Sequence, residues 1–106
     1  MASSVIHMCV AKKINETLKI KDENMLLLGS IAPDISKHLG ESKTRSHFFD
    51  GNKKININRF LEKYKNKLSH PFMLGYFIHL YTDLLWDKYF IIWRIFWMFV
   101  RLQGEI

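Results

Sequence analysis

The sequence predicts a small, single-domain protein of the all-α class. Its 106 residues suit one domain with one core. Hydrophobic residues make up 48% of the chain, enough apolar surface to offset the chain entropy that is lost on folding. Apolar residues recur at helical spacing in several segments, and no internal repeat or low-complexity stretch interrupts them. These observations together favour a helical bundle.

The first helix is predicted to begin at Ser3 or Ser4 and to end near Leu18. Either serine can act as the N-cap, because a hydroxyl can accept a hydrogen bond from the exposed amide groups of the first turn. The polar stretch 15–24 follows, and we expect it to turn the chain.

The middle of the chain is predicted to be less regular. The apolar run 25–28 indicates one or two helical turns, which Gly29 and Pro33 are expected to interrupt. Residues 36–56 are rich in Ser, Lys, Gly and Asn and are predicted to form a loop. A short strand is possible at 54–58, where polar and apolar residues alternate.

Two further helices are predicted in the second half. Apolar spacing indicates a helix over about 58–68. Pro71 suits the first position of the next helix, with Ser69 or His70 as its cap. From residue 72 to 86 this helix is apolar nearly all round, which is typical of a helix at the centre of a domain.

The stretch 84–100 is unusually rich in aromatic and aliphatic residues. A membrane span needs about 20 mostly apolar residues, whereas Asp87, Lys88 and Arg94 break this one. We therefore favour a helix that has lost its packing partners over a bilayer span. Such an exposed apolar surface would invite homo-oligomerisation or peripheral contact with a membrane.

The net charge and the cysteine content exclude few classes of function. The formal net charge of +6 suits anionic partners such as phosphates, but the lysines are spread along the chain, so no dedicated nucleic-acid surface is evident. The single cysteine, Cys9, excludes an intrachain disulfide. No basic segment followed by an apolar run marks a secretory signal near the start, so we expect a cytoplasmic protein.

The clearest candidate for chemistry is the pair His79 and Asp83. On a helix, positions i and i+4 share one face, so an imidazole and a carboxylate converge within an apolar segment. A divalent metal ion is one way to offset the cost of burying both groups. A buried hydrogen-bonded pair without a metal is the alternative.

Three further residues are candidate ligands. Asp34 follows Pro33 between apolar residues, His47 precedes two phenylalanines, and His7 lies on the apolar stripe of the first helix. Taken singly, each is as easily a turn aspartate or a packed histidine. The remaining histidines, His38 and His70, are read as surface or capping residues.

The order of these segments resembles the zinc-dependent phospholipase C family, whose superfamily also contains single-strand-specific nucleases. The motifs that carry the resemblance are His7 with Ala11, then Ala-Pro-Asp34, then Ser-His47-Phe, then Leu-Gly75-Tyr-Phe-Ile-His79-Leu-Tyr-Thr-Asp83. The resemblance extends over roughly residues 5–88, and it depends on the motifs occurring together in this order.

The resemblance implies an all-α bundle that binds zinc and hydrolyses a phosphodiester, either a phospholipid or a nucleotide. By this analogy Asp34, His47, His79 and Asp83 hold one zinc ion, and Asp83 bridges to a second ion that His7 also binds. Asp34 would be catalytic, orienting the attacking water or taking its proton.

The chain also departs from the family pattern. Secreted members use a mature N-terminal tryptophan as a ligand, whereas His7 here follows Met-Ala-Ser-Ser-Val-Ile. The family places two later histidines and a glutamate on a further zinc, but no histidine follows Asp83, and the only later glutamate is Glu105. Members are also about twice as long. We therefore expect a truncated version of the bundle.

Two other functions remain open. One is a non-catalytic helical protein, in which Asp34, His47, His79 and Asp83 form a closed structural zinc site. The other is a metal phosphohydrolase of the His-Asp doublet type, which the absence of that dipeptide disfavours. Imidazole and carboxylate ligands would also suit manganese or iron.

Overall fold

A computed structural model of the chain describes residues 3–104, apart from the side chains of Ile91 and Trp93. The prediction of an all-α fold is confirmed. The helices within the described residues are α1 (Ser4–Leu18), α2 (Glu23–Ile35), α3 (Lys43–Ser46), α4 (Ile57–Tyr64) and α5 (Pro71–Gly104), with 3₁₀ turns at Ser36–Leu39 and Lys65–Lys67.

Helix α1 has the predicted bounds. The Ser3 hydroxyl accepts a hydrogen bond from the Ile6 amide, and Lys19 ends the helix in the left-handed conformation with φ 57°. Asn15 lies inside the helix and is buried. Its side chain accepts from the Ile20 amide at 2.7 Å and donates to Glu23 at 2.9 Å, so this one residue closes the turn that leads to α2.

Helix α2 corrects the prediction for the middle of the chain, because it continues through both Gly29 and Pro33. Packing against α5 outweighs the weak helix propensity of these residues. A Cβ atom at Gly29 would overlap the Phe72 carbonyl group, and one at Gly75 would overlap the Leu26 carbonyl oxygen. The two glycines therefore let the backbones of α2 and α5 approach more closely than side chains would allow.

The segment between α2 and α4 is more ordered than a loop. It contains a 3₁₀ turn and α3, and Phe48 adopts φ 55° immediately after His47. The strand considered at 54–58 is wrong: in the described residues Ile55 makes one isolated antiparallel bridge to Phe49, and α4 then begins at Ile57. The helix predicted over 58–68 is split into α4 and the following 3₁₀ turn.

Helix α5 begins at Pro71 as predicted, and the His70 ring accepts a hydrogen bond from the Phe72 amide at 3.3 Å. Its first half packs on α1 and α2, where Ala11, Leu26 and Ile78 form the centre of the core. Its second half leaves this core, and the large apolar side chains described there are exposed from Leu85 onward, apart from the half-buried Trp86. Among the described residues, no helix combines the length and apolarity required to cross a bilayer.

The close contact of α2 and α5 yields a first prediction. Gly75→Ala should destabilise the fold by roughly 2–3 kcal/mol, because the added methyl group meets backbone and not a movable side chain. Urea denaturation followed by circular dichroism measures the change. Gly51→Ala is the matched control, because nothing lies within 4 Å of a Cβ atom at that position. Equal stability of the two variants would contradict the packing argument.

Candidate metal centre

The five predicted ligands lie together at the junction of α1, α2, α5 and the residue that follows α3. Asp34 is in the last turn of α2, His79 and Asp83 are one turn apart on α5, His47 ends α3, and His7 is in the first half of α1. All five side chains are at most 6% exposed. The fold thus gathers three imidazoles and two carboxylates, all of them almost fully buried, at one place.

Four of these side chains direct one atom each toward a common point: Asp34, His47, His79 and Asp83. His47 Nε2 lies 3.1 Å from Asp34 Oδ1, 3.2 Å from His79 Nε2 and 3.6 Å from Asp83 Oδ2. His79 Nε2 lies 3.5 Å from Asp34 Oδ1 and 3.2 Å from Asp83 Oδ2.

These separations fit a zinc ion. A tetrahedron whose centre is about 2.0–2.1 Å from each corner has edges of about 3.3–3.4 Å. The five separations, 3.1 to 3.6 Å, bracket that length. Two nitrogens and two oxygens are also a donor set that zinc accepts. We call this set of four side chains the four-ligand cluster.

The hydrogen bond that His79 makes through Nδ1 leaves its other ring nitrogen, Nε2, available to bind a metal. Its Nδ1 is 2.6 Å from the Ser30 carbonyl oxygen, which can only accept, so Nδ1 carries a proton and donates it. In the neutral ring, Nε2 then presents a lone pair to the cluster. A second partner that fixes the tautomer in this way is typical of metal-binding histidines.

His47 is oriented by a chain of serines. The Ser46 hydroxyl donates to the Lys43 carbonyl oxygen at 3.3 Å and lies 3.0 Å from the Ser36 hydroxyl, which itself donates to the Pro33 carbonyl oxygen. Because a hydroxyl has one hydrogen, the 2.9 Å contact between Ser46 Oγ and His47 Nδ1 is a bond donated by the ring. In the neutral His47 ring, Nε2 then also presents a lone pair to the cluster.

Tyr76 anchors this segment to α5. Its hydroxyl donates to the Ser46 carbonyl oxygen, one residue before His47. The ring stacks on buried Phe60 with a centroid separation of 5.5 Å. Burial, with a smaller contribution from Tyr64, raises the pKa of Tyr76 to about 12, so the hydroxyl stays protonated and remains a donor.

His7 meets the cluster from the other side of Asp83. Its ring stacks on that of His79, with centroids 3.6 Å apart, and its Nε2 lies 3.0 Å from Asp83 Oδ1. In the described part of the chain, neither ring nitrogen of His7 has a hydrogen-bond partner of good geometry. Asp83 thus presents Oδ2 to the cluster and Oδ1 to a histidine whose own polar atoms lack hydrogen bonds.

The site attracts positive charge. Burial opposes ionisation of Asp34, but hydrogen bonds from His47 and His79 outweigh it and hold the pKa of Asp34 well below its usual range. Burial likewise disfavours the charged form of His79, but hydrogen bonds to Asp34, Asp83 and the Ser30 carbonyl raise the pKa of His79 to about 9. Without a metal, a proton on His79 supplies the charge that the two carboxylates require.

The sequence singled out the five candidate ligands that the fold brings together, but it missed the residues that orient them. Ser30 acts through its carbonyl, which carries no side-chain pattern, and Ser36 and Tyr76 are distant from His47 in the chain. Of these orienting residues, only Ser46 could have been inferred from the sequence, because it is the immediate neighbour of His47. His38 and His70 lie on the surface away from the cluster.

Comparison with known proteins agrees with this geometry. The model of the zinc-dependent phospholipase C family matches residues 6–86, a range that contains all five candidate ligands. No curated protein and no solved structure shows significant similarity to the chain.

The assignment of ligands predicts which substitutions remove metal. His79→Ala and Asp83→Asn should each lose most of the bound zinc, because each deletes one corner of the four-ligand cluster. His38→Ala and His70→Ala, at exposed positions, should retain it. Metal content per chain after dialysis, measured by mass spectrometry, tests this. Equal content in all four variants would refute the assignment.

The raised pKa of His79 predicts the pH dependence of zinc binding. The proton stabilises the metal-free fold fully below the unfolded pKa of about 6.5, and this stabilisation is lost as the pH rises through about 9. Zinc must displace that proton, so its affinity should rise about tenfold per pH unit between about pH 6 and 8. Titration against a competing chelator at several pH values measures how zinc affinity changes with pH. The control variant His38→Ala should show the same pH dependence as the wild type. A flat profile would contradict the proposed competition.

Proposed function

Because the chain belongs to the zinc-dependent phospholipase C family, we propose that it is a zinc-dependent hydrolase of phosphodiesters, with phospholipids as the substrate class. The four-ligand cluster would hold one ion through Asp34 Oδ1, His47 Nε2, His79 Nε2 and Asp83 Oδ2. The tetrahedral separations and the two fixed tautomers support this use of the site.

The observation that carries the catalytic proposal is the position of Asp83. Its Oδ2 faces the histidines of the four-ligand cluster, whereas its Oδ1 faces His7. A carboxylate in this position can bridge two ions. Among the described residues, a second ion would have His7 and Asp83 as donors, so most of its coordination positions would be left for water and substrate.

Zinc, when bound, supplies a Lewis acid that polarises phosphoryl oxygens and lowers the pKa of bound water. The chain contributes orientation and charge. We assign Asp34, whose Oδ1 faces the histidines of the cluster, to orienting the attacking water or taking its proton.

The other groups hold this arrangement in place. The Ser30 carbonyl and the Ser46 hydroxyl keep the Nδ1 protons of His79 and His47 directed away from the site, so these rings do not turn. Burial of all five side chains lowers the local dielectric constant and so strengthens their electrostatic interactions. The net charge of +6 favours the approach of an anionic phosphodiester.

A structural zinc site is the second candidate function, and one observation favours it. All four corners of the cluster are protein atoms, and the side chains that provide them are at most 6% exposed. A closed four-ligand site is typical of structural zinc. In this alternative, His7 serves only to orient Asp83.

His7→Ala separates the two functions. If the chain is a hydrolase, this variant should keep the ion of the four-ligand cluster but lose turnover by about 100-fold or more, because the bridge to the second ion is gone. Zinc content and hydrolysis of short-chain phosphatidylcholine are measured on the same samples, with His38→Ala as the control. One zinc ion per wild-type chain and no hydrolysis would overturn the catalytic proposal and leave the structural one.

A further inference from the structure

The second half of α5 exposes more apolar surface than a monomer normally shows. Among the described side chains between Leu85 and Leu102, eleven large apolar ones are 37–63% exposed. Since such side chains each offer about 150–250 Å², they present roughly 1,000 Å² together. The largest apolar patch on a typical monomer is about 300–600 Å², whereas a standard interface buries about 800 Å² on each partner.

This surface has the periodicity of a helix pairing seam. Leu85, Tyr89, Ile92, Phe96 and Phe99 are spaced 4, 3, 4 and 3 residues apart. This spacing repeats every 3.5 residues on average, the period that keeps one face of a helix against a partner helix. We call these five residues the α5 seam.

Three of the four described charged residues in the second half of α5 lie away from the seam, and the fourth, Lys88, lies beside it. Asp87, Arg94 and Arg101 follow Leu85, Ile92 and Phe99 by two residues, which places them about 200° round the helix. They are therefore on the opposite side of α5, where the outermost, solvent-facing positions of a paired helix would be. The Arg94 guanidinium lies over the Phe90 ring on that same side, 6.0 Å from its centroid.

We propose that the α5 seam is a self-association surface, occupied by the seam of a second copy of this chain. The five seam side chains, together with the flanking Ile95, Val100 and Leu102, present roughly 700 Å² of this area, which approaches the area of about 800 Å² that a standard interface buries on each partner. The alternation of 4 and 3 residues also suits an identical helix. A lipid surface is less well matched. The opposite face carries Asp87 beside two arginines, and not the run of basic residues that an interfacial helix directs to anionic headgroups.

The proposal does not depend on the hydrolase activity. All five residues of the α5 seam lie beyond Asp83, the last proposed metal ligand on α5, so association and zinc binding can be measured separately. Because the seam side chains are already exposed in one chain, their substitution should leave the helix and the metal site intact.

Sedimentation velocity of the full zinc-loaded chain over about 1–50 µM tests the proposal. We expect the wild type to have twice the mass of one chain. Phe99→Glu and Ile92→Glu should raise the dissociation constant by about 100-fold or more, because each places a carboxylate in the apolar seam. Met98→Glu is the matched control, since Met98 is 63% exposed, Phe99 is 60% exposed, and Met98 lies off the seam.

Circular dichroism and zinc content would show that the variants are folded. A monomeric wild type at 50 µM would overturn the proposal, as would equal effects of Phe99→Glu and Met98→Glu. Co-sedimentation with phosphatidylcholine or phosphatidylglycerol vesicles tests the alternative that the surface binds lipid. A monomer in solution that binds such vesicles through this helix would assign the surface to lipid and refute self-association.

Discussion

The contact between the backbones of α2 and α5 is the constraint on which the site depends. Gly29 and Gly75 remove the side chains that would hold the two helices apart, so that each helix meets the main chain of the other. Asp34 follows Gly29 by five residues and His79 follows Gly75 by four, hence the same crossing sets the distance between them. The 2.6 Å bond from His79 to the Ser30 carbonyl is a direct result of this close approach.

The site then shapes the energetics of the whole fold. Two carboxylates and three imidazoles occupy the centre of a chain whose fully apolar core is small, with Ala11, Leu26 and Ile78 at its middle. Burying these polar groups is costly unless a positive charge joins them. Either a proton on His79 or a metal ion fulfils that need, and a metal ion would also tie α2, α5 and the His47 segment together.

Helix α5 combines two surfaces of different kinds. Its first half is surrounded by α1 and α2 and carries His79 and Asp83, while its second half extends beyond the core with its apolar side chains exposed. The chain retains one continuous helix of 34 residues across this change of environment. A partner on the second half would therefore contact the same helix that carries two of the candidate ligands.

The sequence by itself determined the helical class and the start of α1 and α5, because helical spacing and capping are local properties. The order of its motifs, which resembles that of a known family, singled out all five residues that the fold brings together. The sequence did not predict that α2 would pass through Gly29 and Pro33, since weak helix propensity was overcome by packing with a distant helix. It also did not reveal Ser30, Ser36 and Tyr76 as partners of the site. Their contacts join residues 10 to 49 positions apart, and such contacts exist only once the chain has folded.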